Sequence, residues 1–224
     1  QRVVVPYLRS LGINRLDLLV VTHRDSDHSG GTASVQSALA VDALLSSVPE
    51  LGGQPCQAGQ TWIWDGVGFE VLHPTADADL ASGKANHVSC VLRVTSGKRR
   101  MLLTSDIEAE DEAALLARNP DKLQADLLLV PHHGSKTSST PAFLTGVTPQ
   151  AAIIPVGYRS RFGHPKPEIL ARYAAMSIPV WRTDRDGALS VRLAPIGFEI
   201  AAWRQTHRRY WHGRYGLQLS PQSR

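Results

Sequence analysis

Four metal-ligating side chains fall within six residues, directly after an apolar run. Leu16–Val21 reads as a buried strand. It runs into Thr22-His23-Arg24-Asp25-Ser26-Asp27-His28-Ser29-Gly30-Gly31. Residues 23, 25 and 27 alternate if the chain stays extended, and residue 28 turns back towards the same cavity. The two glycines let the backbone fold tightly before a helix. An aspartate or serine alone here would be a helix cap. Two histidines and two aspartates packed so densely point instead to a cation held by mixed imidazole and carboxylate, a donor set suited to Zn²⁺, Mn²⁺ or iron.

The rest of the chain alternates strands with helices. A helix is predicted over about Thr32–Leu39 and a short strand at Ala43–Ser46. Trp62 and Trp64 alternate with Phe69 and Val71 about Asp65-Gly66, a hairpin signal. Strands are also predicted at Cys90–Thr95, Arg100–Leu103, Leu127–Val130, Ala151–Pro155, Val180–Arg182, Leu189–Leu193 and Phe198–Ala202, with helices at Glu108–Arg118 and Pro167–Met176. A chain of 224 residues, 42% apolar and 20% charged, can bury a substantial core as one α/β domain. No apolar stretch approaches the roughly 20 residues of a membrane span. Cys56 and Cys90 cannot build a disulfide framework or a four-cysteine zinc site, and no disulfide partner is expected. The start, Gln1-Arg2-Val3-Val4-Val5-Pro6, reads as a domain cut from a longer chain.

Further candidate ligands lie at other strand ends. Asp106 follows Met101-Leu102-Leu103-Thr104-Ser105; alone it would read as the cap of the next helix. His132 and His133 follow Leu127–Val130. Adjacent histidines point different ways, so one can bind metal while the other orients or transfers a proton. His164 lies in a loop before a helix, and His87, next to Asn86, precedes a strand. Ser135 and Lys136 are placed to touch a phosphate, although a surface role fits them equally. Ligands from separate strand ends converge on one sheet edge. These are enough for two divalent cations, which can stabilise displacement at phosphorus if a carboxylate such as Asp106 bridges them.

Charge is concentrated at one end. Residues 203–224 hold five arginines and no acid, whereas residues 1–202 sum to −1. Residues 1–202 are therefore read as the domain and 203–224 as a basic, aromatic-rich tail. Arg204, Arg208, Arg209 and Trp211 are its candidate DNA-binding groups, since arginines can neutralise phosphates and rings can stack on bases. An anionic membrane surface or a solvated terminus are the other readings.

The order His23-x-Asp25-x-Asp27-His28 with Gly30-Gly31, then Asp106, then a late histidine resembles the metallo-β-lactamase superfamily. More closely, the chain resembles the C-terminal domains of the competence DNA-uptake channel family. The matching segments are Val5–Ile13, Thr22–Gly31, Asn86-x-x-Ser89-x-Val91-Leu92, Leu103–Asp106, Val130–Ser135, His164-Pro165 and Arg182-Thr183-Asp184 with Gly187. The resemblance implies an αββα sandwich with a dinuclear metal edge (Mn²⁺ or Zn²⁺). It implies a nuclease-type phosphodiesterase that degrades one DNA strand during natural transformation, joined to a membrane channel portion of the same parent chain and facing outside the cytoplasm. Carried over by motif, His23 and Asp25 bind one metal, Asp27 and His28 the other, Asp106 bridges, and His132 completes the second site. His133 and His164 then support the ligands or move protons; no dedicated general acid is evident, and His164 is the candidate the residues themselves offer. The third motif falls at Asn86 and His87. Two departures are expected to matter. The family's opening strands are absent before Gln1, which should expose a sheet edge, and Ser105 replaces the usual glycine, which should crowd or shift a metal. The competing readings are a hydrolase of another phosphoester and a non-catalytic DNA-guiding module. An antibiotic-hydrolysing lactamase fits least, because Asp25 stands where histidine is expected.

Overall fold

The computed structural model describes residues 3–81 and 83–207. The chain opens with helix α1 (Val4–Ser10), strand β1 (Arg15–Val21), helices α2 (Ser26–Ser29) and α3 (Thr32–Ala38), and strands β2 (Ala40–Ser46) and β3 (Gln54–Pro55). Strands β4 (Thr61–Trp64), β5 (Val67–His73), β6 (Val91–Ser96) and β7 (Arg99–Leu103) form an antiparallel meander. Helices α4 (Ala109–Arg118) and α5 (Pro120–Leu123), strand β8 (Leu127–Leu129), helix α6 (Pro141–Val147), strand β9 (Ala151–Ile154), helix α7 (Pro167–Ala175) and strand β10 (Val180–Arg182) follow. The described chain closes with α8 (Thr183–Asp186), the hairpin β11 (Leu189–Ala194) and β12 (Gly197–Ala202), and α9 (Trp203–Thr206).

Two sheets stack between two helical layers. The small sheet is parallel, in the order β1-β2-β3; the large one runs β10-β9-β8-β7-β6-β5-β4, with β7 to β10 mutually parallel. Alternation along β1 explains its double burial: Leu18 and Val20 pack with Leu45, Val71 and Trp62 between the sheets. Leu19, of opposite parity, packs outwards with Val5, Val35 and Leu39 under α1 and α3, and Leu16 joins that cluster where the strand begins. The largest core lies on the far side of the large sheet, where Leu115, Phe143, Leu144, Ile169 and Tyr173 of α4, α6 and α7 cover Leu102, Leu128 and Ile154. This is the αββα sandwich expected. On its other side β1 has no strand partner among the described residues, and Val3, Val4, Tyr7 and Leu11 near it are exposed.

Local chemistry sets the element ends. Glu108 and Asp111 form a reciprocal capping box at the start of α4, whose first turn is acidic, as the helix dipole favours. Asp65 and Gly66 both take positive φ (48° and 78°), the geometry of a two-residue hairpin turn. Helix α6 begins at Pro141, with the Thr140 hydroxyl accepting from the Phe143 amide.

The cysteines correct the sequence reading. Cys56, after β3, and Cys90, before β6, form a disulfide with their Cα atoms 6.0 Å apart. It ties the small sheet to the large one across 34 residues of sequence. Closing a loop of that length is worth about 3–4 kcal/mol in the chain-entropy account. Cys56→Ala/Cys90→Ala protein is expected to lose roughly that much in denaturant unfolding, and reductant should then have no further effect on the variant.

Candidate metal centre

Residues that bind or support a cation must come from strands ending on one edge, and here they do. Strand β1 delivers His23, Asp25, Asp27 and His28; β7 delivers Asp106; β8 delivers His132 and His133; β9 leads to His164. The edge is made continuous across the two sheets by Thr22, whose carbonyl accepts from the Cys90 amide (3.0 Å) and whose hydroxyl accepts from Ser105 Oγ (2.8 Å).

His23 is fully buried. Its Nδ1 faces three hydroxyls, Thr22 (3.1 Å), Ser105 (3.3 Å) and Ser89 (3.4 Å). Its Nε2 is buried with no hydrogen-bond partner, an arrangement native proteins rarely leave without a purpose. Burial, then the neighbouring His28, pushes its pKa down to about 4, so the ring is neutral at pH 7, as a metal ligand must be. Ser105 therefore does not crowd the centre as expected from sequence. At φ 51° its hydroxyl is spent behind the His23 ring.

His28 Nε2 lies 3.2 Å from Asp106 Oδ1, 3.3 Å from His133 Nε2 and 3.9 Å from Asp27 Oδ2. His133 Nε2 lies 3.4 Å from both Asp106 Oδ2 and Asp27 Oδ2. Asp25 Oδ2 is 3.8 Å from His23 Nε2. The ligand atoms of His23, His28 and Asp106 lie within 4.8 Å of one another, as do those of Asp27, His28 and His133. Asp106 touches His28 with one oxygen and His133 with the other, the placement of a bridge. Burial pushes its carboxyl up, but hydrogen bonds from His133 and His28 more than offset this and hold it well below the usual carboxylate range. The same bond to Asp106 raises His133 to about 9 against the effect of burial.

The histidine pair is placed otherwise than the resemblance implied. His132 and His133 both take left-handed backbone angles (φ 50° and 53°), uncommon for residues other than glycine and concentrated at functional sites. This turns the His133 ring inwards. Its Nδ1 donates to the Pro155 carbonyl (2.6 Å), leaving Nε2 for the cluster, the usual support of a ligating histidine. His132 instead places Nδ1 3.1 Å from the Thr137 hydroxyl and 3.4 Å from Glu108. His133→Ala is expected to remove metal. His132→Ala should retain it with affinity lowered about 10- to 100-fold, as measured by metal titration of the chelator-treated proteins.

The remaining candidates stand around this core. Asn86 donates to Glu108 (3.2 Å), so Asn86, Glu108, Thr137 and His132 form one network. His87 is drawn away to Asp111 (2.9 Å), outside the cluster. The His164 ring is 5.9 Å from that of His132. Ser135 is buried with its hydroxyl bonded to Thr137, which closes it to phosphate, while Lys136 is exposed. Arg204 donates to the carbonyls of Asp184 and Arg185 (2.7 and 3.0 Å), so the first turn of the basic segment is held by the body of the fold. Arg208, Arg209 and Trp211 lie outside the described residues. The sequence reading assigned no role to Thr22, Ser89, Glu108 and Thr137; Thr22 and Ser89 stood in the resembling segments, while Glu108 and Thr137 had no signal beyond a helix cap and adjacency to a strand end.

The family model of the metallo-β-lactamase superfamily matches residues 2–158. The chain belongs to that superfamily. Curated relatives include Competence protein ComA of Neisseria gonorrhoeae, 37% identical over 210 residues, covering 93% of this chain and 30% of that protein. Recombination protein 2 of Haemophilus influenzae is 33% identical over 201 residues (88% and 25%), and ComE operon protein 3 of Bacillus subtilis 32% over 209 (86% and 26%). The chain thus spans about a quarter to a third of these proteins' length. A solved structure from Parabacteroides distasonis, provisionally described as a metal-dependent hydrolase, shares the metallo-β-lactamase-like fold (TM-score 0.52, 15% identity, 77% of this chain and 78% of that one).

Proposed function

We propose that this domain is a metal-dependent phosphodiesterase that degrades one DNA strand during natural transformation, as part of a membrane-embedded uptake channel. The observation that carries the reading is the unpartnered, buried Nε2 of neutral His23 facing into a cluster of carboxylates and imidazoles. Such a donor set fits Zn²⁺ or Mn²⁺. His23 and Asp25 would hold one cation and Asp27, His28 and His133 the other, with Asp106 between them. Two such ions supply Lewis acidity, activate water and offset charge at phosphorus. The chain's own part is to fix the ligands: the hydroxyls of Thr22, Ser89 and Ser105 set the His23 ring, and the Pro155 carbonyl sets His133. Burial, with the neighbouring His132, lowers the pKa of His164. Its ring is then neutral near pH 7, which suits hydrogen bonding to substrate better than the general-acid role expected from sequence.

The competence proteins among the relatives support DNA as substrate. The Cys56–Cys90 disulfide supports a place outside the cytoplasm, where such bonds persist. No helix among the described residues is long and apolar enough to cross a membrane, so anchoring falls to the channel portion of the longer parent chain.

Chelator treatment is expected to abolish cleavage of a fluorescent single-stranded oligonucleotide, and Mn²⁺ or Zn²⁺ to restore it with about two ions bound per chain. Metal-loaded protein that leaves both single- and double-stranded DNA intact would overturn the reading. Turnover of small phosphodiesters without DNA cleavage would assign the site to another ester.

A further inference from the structure

The loop from β9 to α7 joins exposed rings to unpaired cations beside the metal centre. Tyr158 and Phe162 are 62% and 57% exposed. Each has a guanidinium over its ring, Arg159 at 5.4 Å from the Tyr158 centroid and Arg161 at 4.7 Å from that of Phe162. Neither arginine is ion-paired with an acid among the described residues, and residues 156–166 contain no aspartate or glutamate. Arg204 adds a third cation 6.0 Å from the Tyr158 ring.

The loop is fastened to the metal edge rather than adrift. Gly134 (φ 79°) lies against Pro165 so closely that an added Cβ would sit 2.6 Å from its Cβ, and the Lys166 amide donates to the Gly134 carbonyl (2.9 Å). From Phe162 a row of rings leads inwards: His164 at 6.0 Å, His132 a further 5.9 Å, His133 another 6.5 Å. Two rings, His164 and His132, therefore stand between Phe162 and His133 of the cluster.

Exposed apolar rings cost free energy in water unless a partner covers them. Here the partner must be flat and anionic. Successive bases stack on such rings without regard to sequence, and arginines follow the phosphates. In a duplex the bases already stack on each other, so the rings favour a single strand. We propose that Tyr158 and Phe162, with Arg159, Arg161 and Arg204, form a stacking platform that grips single-stranded DNA and leads it to the metal edge. This deepens, and rests on, the reading of the domain as a DNA phosphodiesterase.

Binding is measured apart from cleavage, by fluorescence anisotropy with a labelled oligo-dT in chelator, so that no strand is cut. Tyr158→Ala/Phe162→Ala is expected to bind oligo-dT at least about tenfold more weakly, with little change for a blunt duplex. Phe162→Trp, which keeps a stacking ring, should retain wild-type affinity. Arg159→Ala/Arg161→Ala should reduce the slope of log affinity against log salt by about 1.4 for two phosphates released. Both rings are exposed, and an unchanged thermal melt will show that the variants fold. Wild-type affinity in the double ring variant overturns the proposal. So does an equal loss on duplex, or a loss confined to anionic lipid vesicles. Wild-type protein that binds oligo-dT through these rings yet never cleaves DNA with metal leaves the platform standing and defeats the phosphodiesterase reading instead.

Discussion

Asp106→Ala protein is expected, on the proposed phosphodiesterase reading, to cleave DNA at least about a thousandfold more slowly than wild type and to retain less than half its metal, since losing the carboxylate between the two proposed cation sites loses cations and with them several kcal/mol of charge stabilisation at phosphorus. Asp106 is buried, and its two oxygens reach His28 and His133 separately. No other carboxylate among the described residues touches both histidines this way from inside the fold. Asp27 approaches them at 3.9 and 3.4 Å, but its side chain is 57% exposed. Asp106→Asn keeps the shape while removing the charge. It should lose metal nearly as completely, which separates an electrostatic role from packing. Retained metal stoichiometry with unimpaired cleavage in either variant would show that the bridge lies elsewhere.

Glu112→Ala is expected to destabilise the fold by about 3–5 kcal/mol, because the buried Ser139 amide and the half-buried Thr140 amide lose their acceptor at once. Glu112 lies on α4 with its carboxylate bonded to the amides of Ser139 (2.5 Å) and Thr140 (2.8 Å). It thereby pins the segment that follows His133. For a domain of this size each kcal/mol moves the melting temperature by about 2–4 °C, so a fall near 10 °C is expected by calorimetry. Burial raises the Glu112 pKa despite those bonds. The sign follows directly: a carboxyl raised above its unfolded value favours folding most at low pH, and that contribution fades as pH climbs through the raised value. The gap between wild type and Glu112→Ala should therefore narrow from pH 4 to pH 8. A gap that widens would contradict the assignment of burial as the dominant cause.

Consecutive chemistry was legible and conformational chemistry was not. The segment His23–His28 could be read because four donors crowd one strand end, and the apolar runs at Leu16–Val21 and Leu127–Val130 marked strands of an α/β domain, whereas the αββα layering came only from the family resemblance. Which of His132 and His133 turns inwards could not be read. It depends on two successive left-handed residues, a conformation uncommon outside glycine that nothing in the surrounding sequence announces. The Cys56–Cys90 pair was missed because residues 34 apart in sequence meet only once the two sheets have packed. Helix α1 escaped notice because Val3-Val4-Val5 is β-branched. Helix α6 had a signal that went unused, Thr140 before Pro141. His87 looked like a ligand by position, but Asp111 claims it, a pairing that exists only across the fold.

The ligand cluster straddles the seam between the sheets: His23 and His28 come from the small sheet, Asp106 and His133 from the large one. Its geometry is therefore a measure of alignment between two independently hydrogen-bonded slabs. Side chains far from any ligand, such as Leu45, Val71 and Trp62 in the inter-sheet core, act as the shims that set this alignment. A slip of about 1 Å between slabs is enough to cost a reaction roughly a hundredfold. Tolerance to substitution should accordingly be low at this buried seam, because a loss of volume there moves one sheet's donors against the other's.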